Sequence, residues 1–515
     1  MKLTRNNFTR AACIAQSFPY PKFFGAQTVS LTAETVTNYS MQIPQAGYPA
    51  HDARNVSNLN FCNVSIIYTH PGQHDSINVQ VWLPLEDWNQ RLQGAASGGF
   101  LAGLTVAPMA GALSDGFAVV STDAGHKVED ASTWALLSPG NVDLYALQNF
   151  ASVSLNDAAI IGKSITESFY GQRPSRSYWN GCSGGGRQGL MLAQRYPDAF
   201  DGIVAAAPGI NFNIALTAGM YWPILLERKG QVPSPCEIYA LSLAVVAACD
   251  ANDGVVDNII SDPDPGHCKF DPFSVVGQTF DCQGAKVKIS QAAALGAAAG
   301  WDGVRAANGS LLYPGVNRGA LLNVGLNSTC DSHTGKCEMV PFTYSTQWVQ
   351  YWLEKDPNFN WTTLTMDDFY RLWRLSESIY TDMTATNDPD LSGFRASGGK
   401  MITWAGLADP AVPTNSSRNY YEMVEQLDPD VRQYYRYFQA PGVQHCGGGN
   451  GPYPGKAFES LMAWVERGEA PDVLHGVSLP DANGTVYRRP ICAYPLKAHY
   501  KKKGNAALAE NWECT

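Results

Sequence analysis

The stretch "NGCSGGGRQGL", residues 180–190, decides the fold. "SYWNG" reads as a strand, "GGGRQGLMLAQRYP" as a helix and "FDGIVAAAPG" as a second strand, so the stretch holds the first turn of a βαβ unit. Gly181-Cys182-Ser183-Gly184-Gly185 at that turn fits G-x-S-x-G, the nucleophile elbow. A strand-to-helix turn this tight has no room for side chains beside the serine, which is why glycines flank it. The turn lifts the serine hydroxyl above the end of the sheet and aims free backbone N–H groups at a developing oxyanion. The pentapeptide alone also describes an ordinary βα turn; the flanking strand and helix select the elbow.

Working outward, VSIIYTH (64–70), INVQVWLP (77–84), RLQGAASGG (91–99) and GFAVVSTDAGH (116–126) read as short strands with turns between them. Small and apolar residues at helical spacing predict one helix over roughly 144–169. KMITWAGLADP (400–410) and YRYFQAPGVQHC (435–446) read as late strands ending in loops. Strands alternating with helices predict an α/β fold, with 1–209 and 396–515 forming the catalytic α/β-hydrolase domain. Residues 210–395 lack that alternation and carry six of the twelve cysteines and many tryptophans. They are expected to form a separate insertion, stapled by its own disulfides.

A serine needs a base to become nucleophilic, and in this fold the order is Ser, then Asp or Glu, then His. Of nine histidines, five follow Ser183. His267 and His333 lie in the insertion, and His475 and His499 in polar, loop-like terminal sequence. His445 alone follows a strand, in the glycine-rich loop "GVQHCGGGNGP" (442–452). Cys182 precedes the serine and Cys446 follows the histidine, so a Cys182–Cys446 bridge, with Cβ atoms about 3.8 Å apart, would staple nucleophile to base. Asp409 in "WAGLADPAVP" is the acid expected to orient the imidazole, although an Asp before Pro also suits a plain turn. Asp388 and Asp390 are weaker rivals because no strand precedes them. Gly184 is expected to supply one oxyanion donor and Gly98 or Gly99, in "AASGG" (95–99), the second.

Composition bounds the rest. Net charge is −10 over 515 residues, with 45% hydrophobic and 16% charged, which argues against a nucleic-acid surface. No apolar run approaches roughly 18 residues, so no membrane-spanning helix is expected. The remaining cysteines are Cys13, Cys62, Cys236, Cys249, Cys268, Cys282, Cys330, Cys337, Cys492 and Cys514. They form no metal-binding C-x-x-C cluster and read as disulfides. Cys492 with Cys514 is an expected pair; the pairing of Cys236, Cys282, Cys330 and Cys337 is left open. Sequons stand at Asn7, Asn38, Asn55, Asn63, Asn308, Asn327, Asn360, Asn415 and Asn483. Together they favour a secreted, glycosylated, extracellular protein, although "MKLTRNNFTRAACIAQ" has a charged start and no apolar h-region. The sequence does not settle the oligomeric state, a homodimer included.

The G-C-S-x-G-G-R elbow, the G-x-x-D-P-x-x-P acid loop and the H-C-G-G-G-x-G-P base loop resemble the tannase and feruloyl esterase family, from "FCNVSIIYTH" to the terminal cysteines. The resemblance implies a secreted serine esterase with a lid after the elbow, acting on small esters of aromatic acids or on feruloylated polysaccharide. Within the lid, "CDANDGVVDNI" (249–259) holds Asp250, Asp253 and Asp257 around Gly254. From the residues this is an Asp-rich turn or a hard-cation site. The resemblance implies structural Ca²⁺, with carbonyls of Val255 and Ile259 completing the ligand set, and no organic cofactor. The leading functional expectation is hydrolysis of hydroxycinnamoyl (feruloyl or caffeoyl) esters. The alternatives are galloyl esters, as for a tannase, and an inactive hydrolase fold that only binds.

Overall fold

The computed structural model describes residues 11–282 and 284–515; the Asn7 sequon lies outside them. Nine strands form one sheet: β1 (Gln27–Ile43), β2 (Arg54–Thr69), β3 (Ile77–Pro84), β4 (Arg91–Ala95), β5 (Ala118–Thr122), β6 (Arg176–Cys182), β7 (Gly202–Ala206), β8 (Lys400–Gly406) and β9 (Tyr435–Ala440), in the order β1-β2-β3-β5-β4-β6-β7-β8-β9. From β5 to β9 all neighbours are parallel, while β1, β2 and β3 add an antiparallel edge. The parallel strands β5 and β7 are buried along their whole length and are nearly all apolar, as strands covered on both faces must be. The long β1 is exposed or half-buried over most of its length, and its Thr- and Ser-rich sequence carries only a faint strand signal.

Helices cover both faces. Helix α1 (Val106–Ser114) and helix Ala457–Arg467 pack on one side with Tyr48, Trp404 and Phe438. Helices α2 (Ser154–Tyr170) and α3 (Gly184–Arg195), with Thr414–Leu427, pack on the other. The single helix expected over 144–169 is instead a short helix Leu144–Gln148, a π-turn Asn149–Val153 and α2. The interruption has a visible cause. Arg187 from α3 donates to the carbonyls of Phe150 (3.3 Å) and Ala151 (2.9 Å), drawing them out of the regular ladder.

The insertion leaves the sheet after β7 and returns at β8. It is largely helical, with Pro235–Cys249 and Met366–Thr384 each started by a capping box, Ser234 with Glu237 and Thr365 with Asp368. Its core is not separate from the catalytic domain. Trp348, Trp352, Tyr380 and Trp222 share one apolar cluster with Phe100, Trp134, Leu147 and Phe150 of the sheet domain. Three bridges lie inside the insertion: Cys236–Cys282, Cys249–Cys268 and Cys330–Cys337. Cys13–Cys62, Cys492–Cys514 and Cys182–Cys446 complete six, and no described cysteine is free. No helix among the described residues is long and apolar enough to cross a membrane. Asn38, Asn55, Asn308, Asn327, Asn360 and Asn483 are exposed, whereas Asn63 and Asn415 are half-buried.

Candidate active site

Ser183 stands between β6 and α3 with φ +60° and ψ −120°, a conformation that non-glycine residues rarely hold. Its backbone is pinned there. Its N–H donates to the Ala206 carbonyl (3.0 Å), and its carbonyl accepts from Arg187 (3.0 Å) and Gly209 (3.2 Å). The flanking glycines are required by space. A Cβ on Gly181 would lie 2.5 Å from the Gly185 backbone, and one on Gly185 would lie 2.5 Å from the Ala96 Cβ. That packing sets the 96–102 loop against the elbow, with a Gly98 Cβ position 3.6 Å from the Ser183 Cβ.

Asp409 follows β8 and is 2% exposed. One of its carboxylate oxygens accepts from the N–H groups of Ala411 (2.8 Å) and Val412 (2.9 Å). The other lies 2.7 Å from His445 Nδ1, which follows β9. This orientation leaves Nε2 for the serine side. Burial disfavours a charged imidazole, but the field of Asp409 and the hydrogen bond to it outweigh that cost, and the pKa of His445 is held above its ordinary value. The Cys182–Cys446 bridge, Cα–Cα 5.8 Å, joins the residues adjoining Ser183 and His445. The other four histidines are elsewhere: His267 pairs with Asp262 in the insertion, His333 is exposed in a turn there, and His475 and His499, read as loop-like, lie in the terminal strands Val473–Val477 and Ala498–Tyr500.

Ser183, His445, Gly98, Gly99 and Gly184 line one cavity of about 470 Å³. Gly184 begins α3, where N–H groups have no partner within the helix. Behind the glycine loop, the buried ring of His126 stacks on Trp134 and contacts the Phe100 carbonyl through Nε2 (2.6 Å). Burial lowers the His126 pKa, and because a carbonyl can only accept, Nε2 carries the proton shared with Phe100. The insertion supplies most of the cavity wall, including Phe212, Leu216, Trp222, Leu322 and Leu326, while Pro410 to Pro413 close the acid side. A wider cleft of about 1000 Å³ lies beyond Tyr313 and contains none of the three candidate catalytic residues.

Three contributors were not assigned from sequence. Arg187 is fully buried between the rings of Phe150 and Phe212 and locks α3 to the π-turn; burial, with Arg195 nearby, lowers it to about 9. The arginine stands in the quoted elbow motif, but nothing local shows what it holds. Glu129 and Tyr344 meet over Gly99, the phenol donating to the carboxylate. No sequence signal joins these residues, which come from different domains.

The Asp-rich loop lies where the insertion meets the carboxyl-terminal part of the chain. It belongs by sequence to the insertion, where Asp253 accepts from Ser261 and Asn252 donates to the His267 carbonyl, and it also reaches the carboxyl-terminal part of the chain. Asp257 pairs with buried Arg489, and the Asn258 carbonyl is 3.5 Å from Asn450 in the base loop. Asp250 accepts from the N–H groups of Asp257 (3.2 Å) and Ile259 (3.1 Å), and Asp253 from that of Val255 (2.9 Å). Burial, opposed by Arg489 and aided by the fields of Asp253 and Asp250, pushes Asp257 up to about 6. The donors suit a hard cation, although among the described residues no three carboxylates, imidazoles or thiolates are gathered as a ligand set.

An elbow serine after β6, an Asp–His pair after β8 and β9 and a glycine loop packed against the serine are the arrangement of the α/β-hydrolase class. The family described as tannase and feruloyl esterase matches residues 62–515, and the chain belongs to it. A probable feruloyl esterase of Arthroderma benhamiae is 37% identical over 96% of this chain and 92% of its own. Feruloyl esterase C of Talaromyces stipitatus is 29% identical, covering 88% and 85%. Among solved structures, tannin acyl hydrolase from Aspergillus niger superposes with TM-score 0.87 at 26% identity, covering 97% of this chain and 94% of that one. Feruloyl esterase B from Aspergillus oryzae gives 0.79 at 26%, covering 96% and 97%. The chain is a carboxylic ester hydrolase.

Proposed function

We propose that this esterase hydrolyses esters of hydroxycinnamic acids through an acyl-enzyme on Ser183, and that it works outside the cell. The observation that carries the reading is the cavity: one apolar, largely insertion-built chamber into which the elbow serine and the Asp409-oriented imidazole both open. Ser183 Oγ attacks the ester carbonyl while His445 Nε2 takes its proton. The N–H groups of Gly184 and of Gly98 or Gly99 receive the oxyanion. His445 then returns the proton to the departing alcohol. Water, deprotonated by the same imidazole, attacks the acyl carbonyl, and the acid leaves as Ser183 regains its proton. The names of the relatives favour feruloyl over galloyl esters. The tannin acyl hydrolase superposition keeps the galloyl reading as the alternative.

The proposed calcium ion would be held by Asp250, Asp253 and Asp257 with the carbonyls of Val255 and Ile259, and would stabilise the loop without entering the reaction. Rates on methyl ferulate, methyl caffeate and methyl gallate, with phosphonate labelling of Ser183, test the reading. Preference for the hydroxycinnamates and labelling at Ser183 are expected. Faster turnover of gallate would make it a tannase, and a protein that is neither labelled nor active would be a binding protein.

A further inference from the structure

The cleft of about 1000 Å³ beyond Tyr313 is larger than the catalytic cavity and is separated from it by a thin partition. In helix Phe212–Ala218, Phe212 and Leu216 line the cavity while Ile214 lines the cleft. Tyr313 lines both, and its phenol oxygen accepts a hydrogen bond from Ser416 (3.1 Å) on the cleft side. Pro410 to Pro413 line the cavity, and the helix Thr414–Leu427 that follows them turns Ser416 and Asn419 to the cleft.

Two helix stripes line the cleft. On Met366–Thr384, Asp367, Tyr370, Arg374, Glu377 and Thr381 recur at helical spacing along one face. On Thr414–Leu427, Ser416, Asn419 and Met423 form the second stripe. From Asp367 to Thr381 the helix rises about 21 Å, at about 1.5 Å per residue, the reach of a chain rather than of a single ring. The side chains suit sugar. Asp367, Arg374, Glu377 and Asn419 are exposed and make no hydrogen bond or ion pair with another described residue, so their donors and acceptors are open to hydroxyl groups. Tyr370 spends its hydroxyl on the Arg305 carbonyl (3.1 Å), and its half-buried ring, with exposed Leu311 and Met423, offers apolar surface to the C–H side of a sugar ring. Asp367 and Glu377 outnumber Arg374, so the cleft has no cationic surplus of the kind an acidic chain needs.

Resting on the hydroxycinnamate reading, we propose that this cleft is a second binding site, for the neutral sugar chain that carries the aromatic ester. The acyl group enters the catalytic cavity while a neighbouring stretch of the same chain lies in the cleft, across the Tyr313 partition. Small esters use the cavity alone. Esters on an oligosaccharide gain affinity from both sites, because binding at one raises the effective concentration at the other.

The test uses xylohexaose, which carries no ester, and a feruloylated arabinoxylan fragment. Xylohexaose should bind, by calorimetry, to enzyme whose Ser183 has been blocked with a phosphonate, since the cleft lies outside the catalytic cavity. Its Kd should rise roughly tenfold or more in Asn419→Trp, which fills the cleft, and in the double variant Arg374→Ala, Glu377→Ala, which strips it. In the unblocked enzyme, the KM for the feruloylated fragment divided by that for methyl ferulate should rise several-fold in the same variants, a ratio in which any general change in activity cancels. The double variant decides the matter if Asn419→Trp does not fold. Absence of xylohexaose binding, or variants that leave both Kd and the KM ratio where they were, overturns this inference alone. Asn308 on the cleft lining is also a sequon. Xylohexaose binding seen only in Asn308→Gln would mean that the chain's own glycan fills the cleft, and would overturn the inference as well. Failure to hydrolyse methyl ferulate would overturn the hydroxycinnamate reading, a result on which the titration of the blocked enzyme does not depend.

Discussion

The carboxyl edge of the sheet and the insertion build the same cavity by opposite means. At the sheet edge, Ser183, Asp409 and His445 each follow the end of a parallel strand, and each is held by short hydrogen bonds or a bridge. The insertion contributes apolar walls from several helices and loops, packed into a core it shares with Phe100, Trp134 and Phe150. Chemistry needs a few atoms placed to fractions of an ångström, and rigid strand ends supply that. Holding an aromatic acyl group needs area and shape, which many side chains can share. Damage at the edge should therefore appear in kcat, and damage in the insertion in KM or in stability.

The largest break is at the triad. Ser183→Ala should lower kcat by about 10³-fold or more, with the melting temperature little changed. Asp409→Asn should cost about 10²- to 10⁴-fold and also move the pH profile. Because Asp409 holds the His445 pKa up, the acid limb of wild-type kcat/KM should lie above about 6.5 and shift to lower pH in the variant. A limb that stays in place would remove Asp409 from its role. Next comes the staple. Cys182→Ala with Cys446→Ala should lose about 10²-fold in kcat, measured well below its melting temperature. The Cys492→Ala, Cys514→Ala control should keep kcat within about threefold. The longer closure, 264 residues against 22, predicts a larger stability loss as well, up to on the order of 5 kcal/mol. Equal kcat in the two double variants would reduce the active-site bridge to an ordinary cross-link.

Smaller effects test the insertion. Val316 and Val324 line the cavity and are only half-buried, so each can be trimmed with little cost to the fold. Val→Ala at either should raise KM for methyl ferulate roughly threefold to tenfold and leave kcat within about twofold. A fall in kcat instead would mean that the insertion helps to position the reacting atoms. Least affected should be turnover after calcium removal. Exhaustive chelation should lower the melting temperature by about 3 °C or more while leaving low-temperature activity near normal. An unmoved melting temperature, or no metal on analysis, would leave the Asp-rich loop as a turn balanced by Arg489.

The contrast also explains what could be read in advance. The elbow, the acid loop and the base loop are local patterns: each is a strand followed by a turn whose residue types are dictated within about ten positions. Twelve cysteines with a Cys beside both Ser183 and His445 carry long-range information as well, since a disulfide imposes one distance. The open pairings among Cys236, Cys282, Cys330 and Cys337 had no such anchor and were settled by packing. The interrupted helix at Asn149–Val153 was invisible because its cause, Arg187, comes from another helix. Strand β1 was missed because an edge strand exposed along much of its length need not be apolar.

By itself, then, the sequence determined the α/β architecture, the three candidate catalytic residues and the bridge between two of them, because those features rest on turn sterics and covalent chemistry. Tertiary structure alone decided the partners of Arg187, the Asp257–Arg489 pair and the meeting of Glu129 with Tyr344 over Gly99. These contacts join residues 25 or more positions apart with no shared local pattern. They form because the fold, once built, leaves a buried or crowded polar group only a few neighbours that can satisfy it.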